Sequence, residues 1–383
     1  MSIWSTLVGQ RPVVDALEKA VSGHGMTHAW LFTGPPGSGR SNAAIAFAAA
    51  LQCADGGAGP DCPTTCHACH TVLAGSHADV QVIRTQKLSI GVDEVRELVR
   101  RASLSPMGDR WQILVVEDAD RLTEQACNAL LKAIEEPNGR TVWMLCAPTV
   151  EDVLPTIRSR CRLVTLSTPT TREVAGFLTD KGIPGPLASY AARASQGHIG
   201  RARALAFDEQ VRTRRQEVVS MPARLTSLGR CMDAATRLAS TAKEEADAIT
   251  AELDAQEKSD LDASYGVVER GRRPREYGPA LAALEKAQRT RAKRRHLDVV
   301  DRGLTDLMSV YRDAIAVATN APGELVNEDI RDQVQQVVDT STPELNLRRI
   351  GWIFGAREQM LEFNVPVALA LESMMVALKA PQR

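Results

Sequence analysis

Twenty-four residues near the start of the chain, HAWLFTGPPGSGRSNAAIAFAAAL at positions 28–51, restrict the choice of fold more than any other stretch. The apolar run from Ala29 reads as a strand, Gly34 to Gly39 as a glycine-rich turn, and the alanine-rich segment from Arg40 as a helix. Gly34, Gly39, Arg40 and Ser41 match G-x-x-x-x-G-K-[ST] at every fixed place except one, where Arg40 stands for lysine. In that motif glycines let successive backbone N–H groups curl round phosphate oxygens, and the N-terminus of the following helix adds its positive dipole. Lysine would reach the β and γ phosphates and the hydroxyl would hold Mg²⁺. Arginine keeps the charge, but its planar fork is bulkier than a compact ammonium. The plain alternative is a glycine turn between strand and helix that holds no nucleotide.

The rest of the first half repeats the alternation. Apolar runs at 29–33, 80–83, 111–116, 141–146 and 162–166 are separated by helical patterns at 40–52, 92–102 and 123–135, with Thr123 as the cap of the last. An amphipathic helix carrying Val13, Val14, Leu17, Ala20 and Val21 precedes the first strand. Strands spaced by helices predict a parallel sheet covered on both faces, ending near residue 167. From Thr168 strand signals cease. A helix opened by Thr170 or Thr171, the GIPGP turn and further helices to about 210 predict a small helical bundle. The remainder, 213–383, reads as helical with breaks near Pro274, Pro279, Pro322 and Pro343. Within it, 243–262 is acidic, 289–295 reads RTRAKRR, and GRRPREYGP between them is loop-like.

Three constellations could carry chemistry. ILVVEDADRL at 113–122 is an apolar strand ending in Glu117, Asp118 and Asp120, where a carboxylate can reach a metal beside a glycine loop. An Asp-Glu order would suit hydrolysis. Here the order is reversed, which permits Mg²⁺ binding but works against efficient hydrolysis; capping of the next helix is the other use for these acids. Cys53, Cys62, Cys66 and Cys69, spaced C-x8-C-x3-C-x2-C among glycines and prolines, predict a closed, structural Zn²⁺ site, with His67 and His70 near enough to substitute. Arg160, in TIRSRC just before the fifth strand, suits either a surface ion pair or delivery to a neighbouring subunit's γ-phosphate. RTRAKRR is read first as a solvated helix face paired across a hairpin with the acidic stretch, then as a phosphate-backbone or acidic-protein contact.

With a formal net charge of −1, 44% hydrophobic and 24% charged residues, the totals point to no particular partner. MSIWSTLVGQ has no basic and apolar signal pattern and no run approaches the length of a membrane helix, so the expected location is the cytoplasm. Eight cysteines without an export signal favour metal or buried thiols over disulfides, and Cys127, Cys146, Cys161 and Cys231 are read as small buried apolar residues.

Taken in order, LVGQ (7–10), HAWLFTGPPGSGR (28–40), the cysteine cluster, EDADRL (117–122), NALLKAIEEP (128–137) and SRC (159–161) resemble the delta-prime family of the bacterial DNA polymerase III clamp loader, with its gamma/tau relatives in the AAA+ class. The likeness runs from 7 to about 205 and is looser beyond 213, where LTDLMSVYRDAI (304–315) is similar to the family's oligomerisation collar and 243–295 looks like an insertion. The resemblance implies an AAA+ P-loop domain at 1–167 with an inserted zinc module at 53–69, a helical lid at 168–212 and an all-α collar at 213–383. It implies a place in a five-subunit ring with gamma/tau and delta subunits, acting with sliding clamp and primer–template DNA in replication. Carried over by position, Arg160 becomes the trans-acting finger, the four cysteines zinc ligands, and Gly34, Pro35, Gly37, Gly39, Arg40, Ser41, Glu117 and Asp118 a degenerate ATP/Mg²⁺ site, with Thr149 at the γ-phosphate-sensing place. Gly200 falls where the lid's sensing arginine would be, with Arg201 one place off, and the cysteine spacing is one residue longer between the second and third ligands than is usual. Two other functions fit the residues: a gamma/tau-type clamp-loading ATPase, and a zinc-stabilised nucleic-acid-binding protein using RTRAKRR.

Overall fold

The computed structural model describes residues 2–57, 62, 66–85, 89–265 and 274–379. The glycine and proline turn around Cys62 (58–61, 63–65) and residues 271–273 of the charged loop lie outside that range. Two compact units emerge, Met1–Phe207 and Asp208–Arg383.

In the first unit α1 (Arg11–Val21) leads into β1 (Ala29–Thr33) and α2 (Arg40–Gln52), followed by α3 (His67–Leu73), β2 (Val80–Ile83), α4 (Val92–Ala102), β3 (Gln112–Val116), α5 (Glu124–Glu135), β4 (Thr141–Ala147), the single turn α6 (Pro155–Arg158) and β5 (Arg162–Thr165). All five strands are parallel and lie in the order β2-β3-β4-β1-β5. Strand alternation divides the core in two. Trp30, Phe32, Ile113, Val115, Val142, Met144 and Cys146 pack on one face with the alanines of α2, and Leu31, Leu114, Val116, Trp143 and Leu145 on the other with Leu98 of α4 and Leu130 of α5. Small alanines let α2 lie close to the sheet, and Phe47 meets Trp30 edge-on at 4.8 Å. The Thr123 hydroxyl accepts from the Ala126 amide and starts α5 as the sequence predicts.

After β5 the described residues contain only helices: α7 (Thr171–Asp180), α8 (Gly185–Ser195) and α9 (Ile199–Phe207) complete the first unit. A capping box between Thr170 and Glu173 fixes the start of α7.

The second unit holds α10 (Glu209–Val219), α11 (Leu228–Ser264), α12 (Tyr277–Ala318), α13 (Arg331–Asp339), α14 (Pro343–Leu361) and α15 (Val367–Leu378). Helices break near Pro274, Pro322 and Pro343 as expected, with Pro343 opening α14; Pro279 lies just past the first of these breaks rather than within it. It sits in the first turn of α12, where its missing N–H has no intrahelical partner to lose. The acidic and basic segments are the distal parts of α11 and α12, an antiparallel hairpin. Arg291, 6% exposed at its side chain, grips Glu257 with Nη1 at 2.8 Å and Nη2 at 2.5 Å and also pairs with Asp254. Leu304, Leu307, Val310, Tyr311 and Ala314 of the 304–315 segment are buried in this unit's own core. A buried polar knot ties α10 to α12: Arg215 Nε donates to Asp306 at 3.1 Å, and Asp313 accepts from the Asn327 amide at 2.7 Å. No described helix is long and apolar enough to cross a membrane.

Candidate functional site

The glycine loop follows β1 at the C-terminal rim of the sheet. The Gly34 amide donates to Pro148 O at 3.1 Å and the Ser38 amide to Pro35 O at 3.1 Å, so the loop leaves the strand beside the end of β4 and turns at once. Two glycines are required by geometry. A Cβ at Gly34 (φ 153°) would stand 2.6 Å from Leu166 O, and one at Gly37 (φ 85°) would stand 2.2 Å from the His198 ring. Gly39, also left-handed, precedes α2, whose first residue is Arg40. Motif, conformation and helix N-terminus are therefore those of a phosphate-binding loop.

What fills the loop is its own chain. Arg40 folds back so that Nη1 donates to the Gly34 carbonyl. His198, at the N-terminal end of α9, lies against Gly37, and the Ile199 amide reaches Gly37 O at 3.4 Å. Sequence reasoning missed both contacts. Nothing local signals His198, which stands 161 residues after Gly37 in the chain. The Ser38 hydroxyl is buried, 3% of the residue being exposed, and makes no hydrogen bond.

The acids lie just beyond β3. Glu117 Oε1 is 2.9 Å from Arg84 Nε. Burial pushes the Glu117 carboxyl above its usual range; Arg84 pulls it down and Asp118 adds to the rise, with burial prevailing. Asp120 is raised as well, again chiefly by burial. Thr149, exposed after β4, donates its amide to Asp152 Oδ2 at 2.9 Å. Gly34, Thr149 and Glu117 thus follow the C-terminal ends of adjacent strands β1, β4 and β3. The set suits Mg²⁺-triphosphate incompletely: the loop backbone fits phosphate, whereas the cation expected to meet it is turned inward and Glu117 is engaged by Arg84.

Arg160 lies at the opposite rim. It precedes β5, whose Arg162 pairs with Trp30 and Thr165 with Thr33, so Arg160 stands at the strand's beginning and the loop at its end. At about 3.3 Å per residue, the separation along β5 alone is about 10 Å. Arg160 is held by Thr156 O (Nη1, 2.7 Å), Ser159 Oγ (Nη1, 3.1 Å) and Glu135 Oε1 (Nη2, 2.5 Å), with 39% of its side chain exposed. Burial pushes the neighbouring Cys161 thiol up to about 12.

The four predicted cysteines come together. Cys53 caps the end of α2, Cys66 precedes α3 and Cys69 is on α3, with Cys62 in the connecting loop. Sγ of Cys53 lies 3.4 Å from that of Cys62 and 3.7 Å from that of Cys66, and the Cys62 to Cys69 distance is 3.5 Å. All four ligand atoms fall within 4.8 Å of one another. A tetrahedral ion with bonds of about 2.3 Å needs sulfurs about 3.8 Å apart, so the cluster can hold a metal ion. Burial leads the rise of the Cys62 thiol to about 11 and of Cys69 further, while at Cys53 burial is outweighed by the combined hydrogen bonds of the Gly57 and Asp55 amides and of Cys62 and Cys69, and the thiol is lowered. Neither His67 nor His70 belongs to the group.

A five-stranded parallel sheet in this order, with a glycine loop between β1 and α2 and acids after β3, defines an AAA+-type domain. Residues 9–170 match the family described as DNA polymerase III, delta subunit. The gamma/tau subunit of DNA polymerase III from Mycobacterium tuberculosis is 35% identical over 158 residues, 41% of this chain and 27% of that subunit. The delta′ subunit from Pseudomonas aeruginosa is 39% identical over 137 residues, 35% of this chain and 41% of that subunit. The chain thus spans less than half the length of either. A solved gamma-subunit-related protein of Thermotoga maritima aligns over 96% of this chain and 98% of its own at 14% identity and a TM-score of 0.44. Over residues 9–170 the chain is therefore similar to the gamma/tau and delta′ subunits of DNA polymerase III.

Proposed function

We propose that the chain is a delta-prime-type clamp-loader subunit, which helps place a sliding clamp on primed DNA and lends Arg160 to the ATP site of an adjacent gamma/tau subunit. The observation that carries this reading is the division of the sheet: an exposed arginine at one rim, and at the other a phosphate loop whose own Arg40 is bonded to Gly34 O. An arginine reaching a neighbour's γ-phosphate can be worth about 10³ or more in rate. Residues 168–212 then act as a lid and 213–383 as a collar in a five-subunit ring. The collar face is sought away from 304–315, and α14 supplies a candidate in Leu347, Phe354 and Leu361, exposed at seven-residue spacing. The cysteine cluster is read as a structural Zn²⁺ site, its four thiolates leaving no place for a catalytic water.

A gamma/tau-type ATPase is the second reading, favoured by the intact glycine-loop backbone. A nucleic-acid-binding role centred on RTRAKRR has less to support it, because Arg291 is buried in its grip on Glu257 and Asp254. The deciding assay is steady-state ATP hydrolysis by the complex reconstituted with gamma/tau and delta subunits, clamp and primed DNA, beside the purified chain alone. An inactive lone chain and a complex slowed by Arg160→Ala support the delta-prime reading. A hydrolysing lone chain with an indifferent Arg160→Ala complex sinks it in favour of the motor.

A further inference from the structure

In the isolated chain both terminal nitrogens of Arg160 are engaged. Nη1 is held from its own turn, by Thr156 O at 2.7 Å and Ser159 Oγ at 3.1 Å. Ser159 is itself anchored, its hydroxyl donating to Thr156 O at 3.1 Å. Nη2 is held from elsewhere, by Glu135 Oε1 at 2.5 Å, and Glu135 is the last residue of α5. The two anchors differ in kind. The turn presents the guanidinium with neutral oxygens that stay in place when a phosphate arrives, whereas Glu135 offers a carboxylate, the group whose geometry and charge a phosphate imitates.

We propose that Glu135 is a positioning residue that parks Arg160, occupying Nη2 until the neighbouring subunit's triphosphate displaces it. The proposal rests on the trans-finger reading above. A guanidinium grips a phosphate through two parallel N–H donors, and Glu135 takes one of the two N–H groups on Nη2, so the phosphate meets fewer free, aligned donors while the pair holds. The carboxylate left behind also repels the incoming negative charge. Glu135 is 44% and Arg160 39% exposed at the side chain, so the pair is screened by water and holds Arg160 by a factor of only about 1.4 to 5. A hold of that size keeps Arg160 ordered and still yields to a triphosphate.

The test is Glu135→Gln in the reconstituted complex, which removes the charge and keeps the shape. Steady-state hydrolysis is measured with wild-type and Arg160→Ala backgrounds at low and high salt. Parking predicts a rise of about 1.4- to 5-fold in kcat/KM for ATP, shrinking as salt screens the pair and vanishing in the Arg160→Ala background. An unchanged or lower rate with Glu135→Gln, where Arg160→Ala still slows the complex, overturns parking and spares the finger. A rise that persists without Arg160 overturns parking too, since Glu135 would then act through something else. If Arg160→Ala alone changes nothing, the finger reading and parking fall together. Matching melting curves for Glu135→Gln and wild type exclude a folding defect as the source of any change.

Discussion

Arg291→Ala should loosen the α11–α12 hairpin in a manner that depends on pH. The guanidinium makes a two-pronged contact with Glu257 at 2.8 and 2.5 Å and a further pair with Asp254, whose side chains are 31% and 29% exposed. Charge-assisted bonds of this kind are worth about 1.5–3 kcal/mol when sheltered; discounting for the solvent that reaches both carboxylates leaves about 2 kcal/mol for the group. Deleting Arg291 also leaves two like charges three residues apart on α11, which adds to the loss. In a unit of this size that corresponds to a fall of about 4–8 °C in the transition that unfolds it, read by calorimetry on the full chain. The hydrogen bond from Arg291 holds the Glu257 carboxyl below its ordinary value. A depressed folded-state value means that the stabilisation is complete above the unfolded carboxyl's pKa of about 4.3 and is lost as pH falls through the lower, folded one. The gap between wild type and variant should therefore be full at pH 7 and narrow below about pH 4. A variant that melts within a degree of wild type at pH 7, or a gap that stays the same at pH 3, would refute the assignment of this stability to the ion pairs.

Arg40→Lys should free the Gly34 carbonyl and offer a compact cation to phosphate, so a fluorescent ATP analogue should bind the purified chain about tenfold or more tightly than wild type; equal binding would show that Arg40 is not what weakens the site. Cys69→Ser removes one of three fully buried sulfurs in the cluster, and atomic-emission analysis should find one zinc per wild-type chain and a small fraction of that in the variant, with a lower melting temperature of the first unit. Wild-type protein that carries no metal after purification under reducing conditions would end the zinc reading.

The strands were legible because each run is short and bounded by turn residues, with β1, β3 and β4 buried throughout: β1 and β2 have the limits that the apolar runs predict, and β3, β4 and β5 differ by one residue at one end. The cysteine cluster was legible too, since ligand spacing within one loop is a local property. The partner of RTRAKRR could be anticipated from charge alone, although which arginine would be buried could not. Contacts that close the phosphate loop were not legible, because they depend on how α9 returns to β1 and on a side chain's choice between a phosphate and its own backbone. The break near Pro279 lies just before it, because proline is tolerated in a helix's first turn and α12 starts at Tyr277.

Arg160 and the glycine loop stand at opposite rims of one sheet, so on the proposed reading the unit is polar, with a giving side and a receiving side. Two copies related by a twofold axis would bring like rim to like rim and satisfy neither, so an arrangement that uses Arg160 on a neighbour has to run head to tail. In such a file a member whose receiving side is closed by its own arginine can be followed but cannot follow, and its natural position is the end of the row.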